Sequence, residues 1–442
     1  MPDATVAILR WTELDAARRE QVLARPALPE AENFHANVRH IVASVRREGD
    51  VALLRLTREL DCAVMTEFEV TPAEFVDAEA VITPMQRAAL ECAIANVRRF
   101  HEAQKAPPLA VETSPGVYCE RREVPIAAVG LYVPSGSAPL PSTAIMLAVP
   151  AAIAGCNTRI VCTPPRSDGT ADPAVLVAAR LCGVQRVFKI GGAQAIAAMA
   201  FGTHSVPKVD KVFGPGNPWV TAAKELVAAM PDGAARDLPA GPSEVLVIAD
   251  ESANPQFVAA DLLAQAEHSV DAQVLLLTTS PALACATQAQ LADQRTPLVR
   301  RSIIEQSLLA ARIVLVDSLE EAVAISNRYG PEHLILAVAE PRLWLAKVRS
   351  AGSIFIGHFT PETMGDYCSG TNHVLPTGGH ARVLSGLSLA DFSKRITVQE
   401  ISASGLRDLG PVAETLARLE GLDAHANAVS VRLRALAAVA AT

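Results

Sequence analysis

Between Pro125 and Met230 the sequence runs four times through one unit: a short aliphatic run, a turn rich in Gly and Pro, and an Ala-rich helical stretch. PIAAVGLYV leads through PSGSAPLPS into STAIMLAVPAAIAG, and TRIVCTPP into DPAVLVAARLCG. VQRVFKI leads through GG into AQAIAAMAF, and VDKVF through GPGN into PWVTAAKELVAAM. A strand followed each time by a helix reaches its neighbour by a crossover, so the pattern predicts a parallel sheet flanked by helices. The theme returns with SEVLVIAD, AQVLLLTTS, RIVLVDS, EHLILAV and GSIFIG, interleaved with helical stretches such as FVAADLLAQAEH and LEEAVAISNRYG. A second α/β sheet is expected there. With 442 residues, half of them hydrophobic and only 4% aromatic, the chain can bury a large core, and that core must be aliphatic.

The flanks read differently. Residues 1 to about 108 are mostly of helical period, as in EAENFHANVRHIVASVRREGD and MQRAALECAIANVRRFHEAQ. The proline-broken AQKAPPLAVETSPGV marks a boundary, and from about 388 the tail reads as amphipathic helix. A formal net charge of -8 without a Lys/Arg cluster speaks against a nucleic-acid partner. MPDATVAILRWTELD has no basic region before an apolar one, and the longest apolar run, AIMLAVPAAIAGC, is short and contains Pro150. No membrane is expected, and the reading is a soluble cytoplasmic protein. The eight cysteines form no CxxC pair and are expected to be buried reduced thiols. Cys156 and Cys182 could serve as nucleophiles, but no His lies near them in sequence.

The candidate chemistry starts in FVAADLLAQAEH. On a helix, Asp261, Gln265 and His268 fall on one face of an otherwise apolar stretch. Gln265 and His268 are possible metal ligands; a hydrogen-bonded core histidine is the bland alternative. Downstream, YGPEHLIL places Glu332 and His333 where a loop enters a strand, a general base beside a water activator or a solvated turn. The Gly-rich MGDYCSGTNHVLPTGGH carries Asp366 and His373, and the tail carries Glu420 and His425. GGAQ (191–194) and GPGN (214–217) each follow a strand and open a helix, where glycines and helix N-termini suit an anionic cofactor. Neither matches GxGxxG, no acidic residue is obviously placed to read a ribose, and tight turns alone would explain the glycines.

DLPAGPSEVLVIAD followed by DLLAQAEH resembles the histidinol dehydrogenase signature. QKAPPLAVET, VGLYVPSGSAPLPST, GGAQAIAA, GPGNPWVTAAK, YGPEHL, GSIFIG, GDYCSGTNHVLPT, ADFSKRITVQE and the AHANAV segment also fit, so the resemblance spans essentially the whole chain. It implies a zinc-dependent enzyme, one zinc per subunit, that oxidises L-histidinol to L-histidine through L-histidinal with two NAD+, the last step of histidine biosynthesis. By position, Gln265, His268, Asp366 and His425 match the family's zinc ligands, and Glu332 and His333 its acid–base residues. Ser243, Glu420 and His373 match substrate contacts, together with Gln265, His268, His333, Asp366 and His425; Tyr132, Gln194 and Asn217 match NAD contacts.

The resemblance further implies two Rossmann-like parallel-sheet domains with small helical N- and C-terminal segments, in an intertwined homodimer with sites shared across the interface. The expected boundaries are 1–30 for the N-terminal helical segment, and 31–128 plus 243–387 for the first Rossmann-like domain with the metal and catalytic residues. They are 129–242 for the NAD-associated domain and 388–442 for the helical segment that reaches the partner. PSG at 134–136 departs from the PGG of many members, which bears on cofactor affinity through Ser135. Asp261 is a candidate for orienting His268, or else a capping or surface group. A zinc hydrolase using the same ligands, and an inactive binding homologue, are the rival readings; the first has no use for the GGAQ and GPGN loops, and the second none for an intact Glu332–His333 pair.

Overall fold

The computed structural model describes residues 6–25, 33–135, 138–239 and 241–440. Part of the 1–30 segment and Gly136 of the PSG turn lie outside the described residues. The chain divides into two compact units, Met1–Gln104 with Ile126–Phe392 and Lys105–Pro125 with Ser393–Thr442.

The first unit holds both expected parallel sheets. One is six-stranded, in the order Ala7–Arg10, Arg312–Leu315, Gln273–Thr278, Glu244–Ala249, His333–Ala337, Ser353–Ile356, and every pairing is parallel. Its middle strands are buried along their whole length, as a sheet covered on both faces requires. Alternate residues feed two cores. Val245, Val247, Leu276 and Ile335 pack with Val258 and Leu262 of the helix Pro255–Ala266; Leu246, Ile248, Leu275 and Leu334 pack with Val323 and Tyr329 of the helix Leu319–Tyr329. The edge strand Ala7–Arg10 falls in the segment expected to be helical, whose helix is Ala16–Leu23. A four-residue strand has no period to read and exists only through its pairing with Arg312–Leu315.

The other parallel sheet has the order Arg186–Lys189, Thr158–Thr163, Ala128–Tyr132, Lys211–Phe213, Ala235–Arg236. Strand order departs in both directions from Ala128–Tyr132, which places a topological switch point at that strand's carboxyl end. The sequence grouped residues 31–128 with 243–387. The helices in that stretch bury their apolar faces against the helices that flank the five-stranded sheet: Val38, Val42 and Val45 join Ile196 and Met199, and Phe75, Ile94 and Val97 join Met146 and Val175.

The second unit is built on an antiparallel sheet, Leu109–Ser114 and Val117–Pro125 in a hairpin and Ser393–Ile401 against the latter. The helices Ala403–Leu419 and Asp423–Ala440 follow. The stretch read as a proline-rich boundary thus supplies the first strand of a hairpin, and the tail opens on a strand before its helices, paired with a segment far away in the sequence. Leu409, Val412, Leu416 and Leu419 form an exposed apolar stripe on the first tail helix.

No helix among the described residues is long and apolar enough to cross a membrane. Cys156, Cys162 and Cys182 are buried as expected, whereas Cys62, Cys92 and Cys285 are exposed. Burial pushes the Cys156 thiol up to about 11 and the Cys182 thiol up to about 12, which leaves neither poised as a nucleophile.

Gly214 opens the GPGN loop at φ +122°, and a Cβ there would lie 2.1 Å from the Tyr132 carbonyl oxygen. Gly357, at φ +86°, has nothing within 4 Å of the same atom. Both variants bear the strain of positive φ, but only Gly214→Ala adds a clash with fixed backbone, so it is expected to lower unfolding stability by about 1–3 kcal/mol more than Gly357→Ala. Denaturant unfolding of both variants checks this; equal losses would mean the loop relaxes without cost.

Candidate active site

The helix Pro255–Ala266 decides where the polar stripe ends up. Asn254 caps its start, accepting from the Gln256 N–H at 2.9 Å, just past the carboxyl end of the strand Glu244–Ala249. The helix then runs back along the sheet. Its 12 residues span about 18 Å, close to the roughly 20 Å of a six-residue strand. Gln265 and His268 are thereby returned to the amino edge of the six-stranded sheet, where Glu244 and His333 begin their strands. The short helix Glu362–Tyr367 brings Glu362 and Asp366 to the same place.

The parallel register pairs His333 with Val245, so Glu332 lies beside Glu244. The Glu244 N–H donates to Glu332 Oε2 at 3.0 Å, and the Glu244 carbonyl lies 3.2 Å from His333 Nδ1. Gln265 Oε1 lies 3.0 Å from the same nitrogen. Two acceptors facing Nδ1 assign its proton there and leave Nε2 as the free ring nitrogen. Nε2 has no hydrogen-bond partner among the described residues and lies 3.6 Å from Asp366 Oδ1, an ion-pair distance when the ring is charged.

The donor atoms of His268, Glu362 and Asp366 lie within 4.8 Å of one another. Glu362 is buried, and neither of its carboxylate oxygens has a hydrogen-bond partner among the described residues; Gln265 Nε2 has none either. A buried carboxylate with both oxygens unpaired is costly alone. One imidazole nitrogen with two carboxylates is a donor set that suits zinc or a similar divalent cation, so the residues fit such an ion.

The electrostatics follow from burial and crowding. Burial pushes Glu332 up to about 8, against the attraction of His333 and the Glu244 N–H. Burial alone would lower His333, but Glu332, Glu362 and Asp366 outweigh it and raise the ring to about 10. Burial and the neighbouring carboxylates hold Glu362 well above the usual carboxylate range. Burial opposes ionisation of Asp366 too, yet His333, His373 and His268 prevail and keep it below its ordinary value.

The other predicted residues fall into three groups. Ser243 immediately precedes Glu244, and its carbonyl accepts from the Gln273 N–H at 3.1 Å. His373 joins the same region: Nδ1 donates to the Asp366 carbonyl at 2.7 Å, and Nε2 accepts from the Thr143 hydroxyl at 3.1 Å. Glu420 and His425 belong to the second unit, at the C-cap of Ala403–Leu419 and in the first turn of Asp423–Ala440, both exposed there. Tyr132 ends its strand in the five-stranded sheet, and Gln194 and Asn217 lie beyond the carboxyl ends of theirs. The Tyr132 hydroxyl accepts from the Gly192 N–H at 3.1 Å, Gln194 Nε2 donates to Asp61 at 3.1 Å, and Asn217 caps its own helix through the Val220 N–H.

Three residues escaped the sequence reading. Glu362 stands one helical turn before Asp366, an acidic pair whose like charges would have been a signal. Glu244 is a charge heading the aliphatic run EVLVIA. Asp61 follows the helix Asp50–Leu60 with no sequence mark at all, yet it supplies a carboxylate beside the GGAQ loop. Asp261 has no hydrogen bond to His268 among those described, and burial alone pushes it up to about 7.

Two fully parallel sheets and a buried histidine–carboxylate centre define an α/β enzyme. A sequence model of the family described as "Histidinol dehydrogenase" matches residues 24–433. The histidinol dehydrogenase of Xanthomonas axonopodis pv. citri is 57% identical over 426 residues, covering 96% of this chain and 99% of the relative. That of Vibrio vulnificus is 52% identical over 428 residues, covering 97% and 98%. The crystal structure of histidinol dehydrogenase from Elizabethkingia anophelis superposes with a TM-score of 0.94 at 45% identity, covering 99% of each chain. The chain belongs to the histidinol dehydrogenase family and is an oxidoreductase.

Burial is the first cause that raises Asp61 to about 6, with the Gln194 amide pulling it down. An acid whose folded pKa is raised adds no penalty below its ordinary value near 3.8 and loses stability as pH climbs from there through 6. Asn cannot ionise but still accepts from Gln194. Asp61→Asn should therefore melt higher than the parent chain at pH 8, with the gap closing toward pH 4. Thermal midpoints across that range check it; a constant gap would assign the effect to something other than the buried charge.

Proposed function

We propose that this chain catalyses the zinc-dependent, NAD+-linked four-electron oxidation of L-histidinol to L-histidine through L-histidinal, the last step of histidine biosynthesis, in the cytoplasm. The observation that carries the reading is the buried His333–Glu332 pair standing beside the His268–Glu362–Asp366 donor set.

Zinc would be held by His268 and Asp366, by Gln265 turned to present its amide oxygen, and by His425 of the partner subunit; when bound it holds and orients the imidazole and amine of the substrate. NAD+ is assigned to the five-stranded sheet of residues 129–242, through Tyr132, Gln194 and Asn217, and when bound accepts hydride. His333 accepts the alcohol proton at Nε2 as hydride leaves the carbinol carbon, because Nδ1 is already committed to the Glu244 carbonyl. The aldehyde then needs water before it can lose a second hydride. Glu332, anchored through one oxygen by the Glu244 N–H, removes a proton from that water with the other. Positive charge among Glu362 and Asp366 offsets their pull on the His333 proton, which frees the ring to act as a base near neutral pH. Ser243, His373 and Glu420 complete the substrate pocket, the last from the partner in a homodimer; the exposed apolar stripe on Ala403–Leu419 supports a tail made to pack on another surface.

The test is the amount of NADH formed per L-histidinol consumed, with and without chelator. Two NADH per substrate, lost on chelation and restored by zinc, is the expected result. One NADH with released aldehyde would overturn the water step, and none from zinc-loaded protein would overturn the reading. Glu332→Gln is expected to slow oxidation of supplied histidinal by ~100-fold or more, within the range of a lost general base, and the histidinol half-reaction by much less. Equal losses in the two half-reactions, measured by single turnover, would remove Glu332 from the water step.

A further inference from the structure

We propose that Glu244, clamped by Arg25, is a positioning residue for the acid–base pair: its backbone carries both reacting side chains, and its side chain is what keeps that backbone in place. The inference rests on the proposed function for its kinetic meaning and on geometry for its substance.

Glu244 gives its N–H to Glu332 and its carbonyl to His333, so one residue sets the positions of both groups. It is also the first residue of its strand, at the open edge of the sheet, where ladder hydrogen bonds end and strands fray. The Glu244 carboxylate is 2% exposed and faces away from water into a fork: Arg25 Nε donates to Oε2 at 2.5 Å and Nη2 to Oε1 at 2.8 Å. The fork is itself held. The guanidinium lies 3.9 Å from the centre of the Tyr329 ring and donates to the Tyr329 carbonyl at 3.0 Å. The Tyr329 hydroxyl is 3.0 Å from Glu244 Oε2 and 2.7 Å from Gln273 Oε1, and Gln273 Nε2 donates to the Ala24 carbonyl at 2.9 Å. The end of the N-terminal helix is thus tied to the amino ends of two central strands.

A buried ion pair is a poor source of stability compared with aliphatic packing. What a bidentate fork adds is direction: it fixes both the position and the plane of the carboxylate. Here that fixes the two peptide units flanking the Glu244 Cα, one hydrogen-bonded to Glu332 and the other to His333. Misplacement by about 1 Å costs on the order of 100-fold in rate.

The experiment uses the full-length, zinc-loaded protein. Arg25→Ala should lower kcat for histidinol oxidation ~10- to 100-fold while KM and zinc content stay within about threefold. Arg25→Lys, which restores the charge but not the fork, should recover the melting temperature more fully than kcat. Glu244→Gln keeps the shape without the charge and gives the same reading if Arg25→Ala does not fold. A loss of kcat that merely tracks the folded fraction, or one matched by lost zinc, overturns the proposal. Nitrogen NMR of 15N-histidine-labelled protein separates this from failure of the functional reading, because it needs no turnover. The parent chain should show a hydrogen-bonded His333 Nδ1–H whatever its substrate and whether or not Nε2 is protonated, and Arg25→Ala should weaken that bond and shift its signal. A folded Arg25→Ala variant with an unchanged His333 signal overturns the proposal even if kcat falls.

Discussion

Everything at the candidate centre depends on the parallel pairing of Glu244–Ala249 with His333–Ala337. The register sets His333 against Val245, which leaves Glu332 and Glu244 side by side at the edge. A slip by one residue would turn His333 to the other face of the sheet and pull Glu332 away from the Glu244 N–H. The aliphatic alternation of EVLVIA and HLILA forbids that slip, because it would exchange the residues committed to the two cores on opposite faces. Core packing and site geometry are in this sense one constraint.

The two sheets use opposite edges. In the five-stranded sheet the candidate cofactor residues lie at or just after the carboxyl ends of strands, as open α/β sheets favour for ligands. In the six-stranded sheet the histidine–carboxylate centre lies at the amino ends. A helix about as long as the strand it follows can only end where that strand began, and the donors near its carboxyl end go with it. Crowding them there has an electrostatic consequence. Several carboxylates and three imidazoles crowd a largely desolvated space, so Glu332 and Glu362 are driven up toward their neutral forms, while the carboxylates raise His333 and the imidazoles hold Asp366 down. A divalent cation held there would resolve that conflict by taking the place of the shared protons.

Much of this was legible in the residues. Strand–turn–helix repetition announced two parallel sheets, and FVAADLLAQAEH announced a helix with donors on one face. Its motifs identified the family. The sequence also named Glu332, His333, Asp366 and His373, and the structure brings these together with Gln265 and His268. Elements that pair with distant segments were not legible: the edge strand Ala7–Arg10 pairs with Arg312–Leu315, and Ser393–Ile401 with Val117–Pro125 of the hairpin. Glu362, Glu244 and Asp61 were missed for a related reason. Each looks like an ordinary surface acid until its neighbours from other segments are known.

The sequence by itself therefore determined the kind of sheet, the helical face that carries the donors, and the family, because these are written in short-range patterns and contiguous motifs. Only the tertiary structure decided which edge of the sheet becomes the candidate site, which carboxylates are forced together there, and that one strand-end residue, Glu244, hydrogen-bonds both Glu332 and His333. Those properties depend on register, on helix length matched to strand length, and on desolvation, and none of the three exists until segments far apart in the chain are packed against one another.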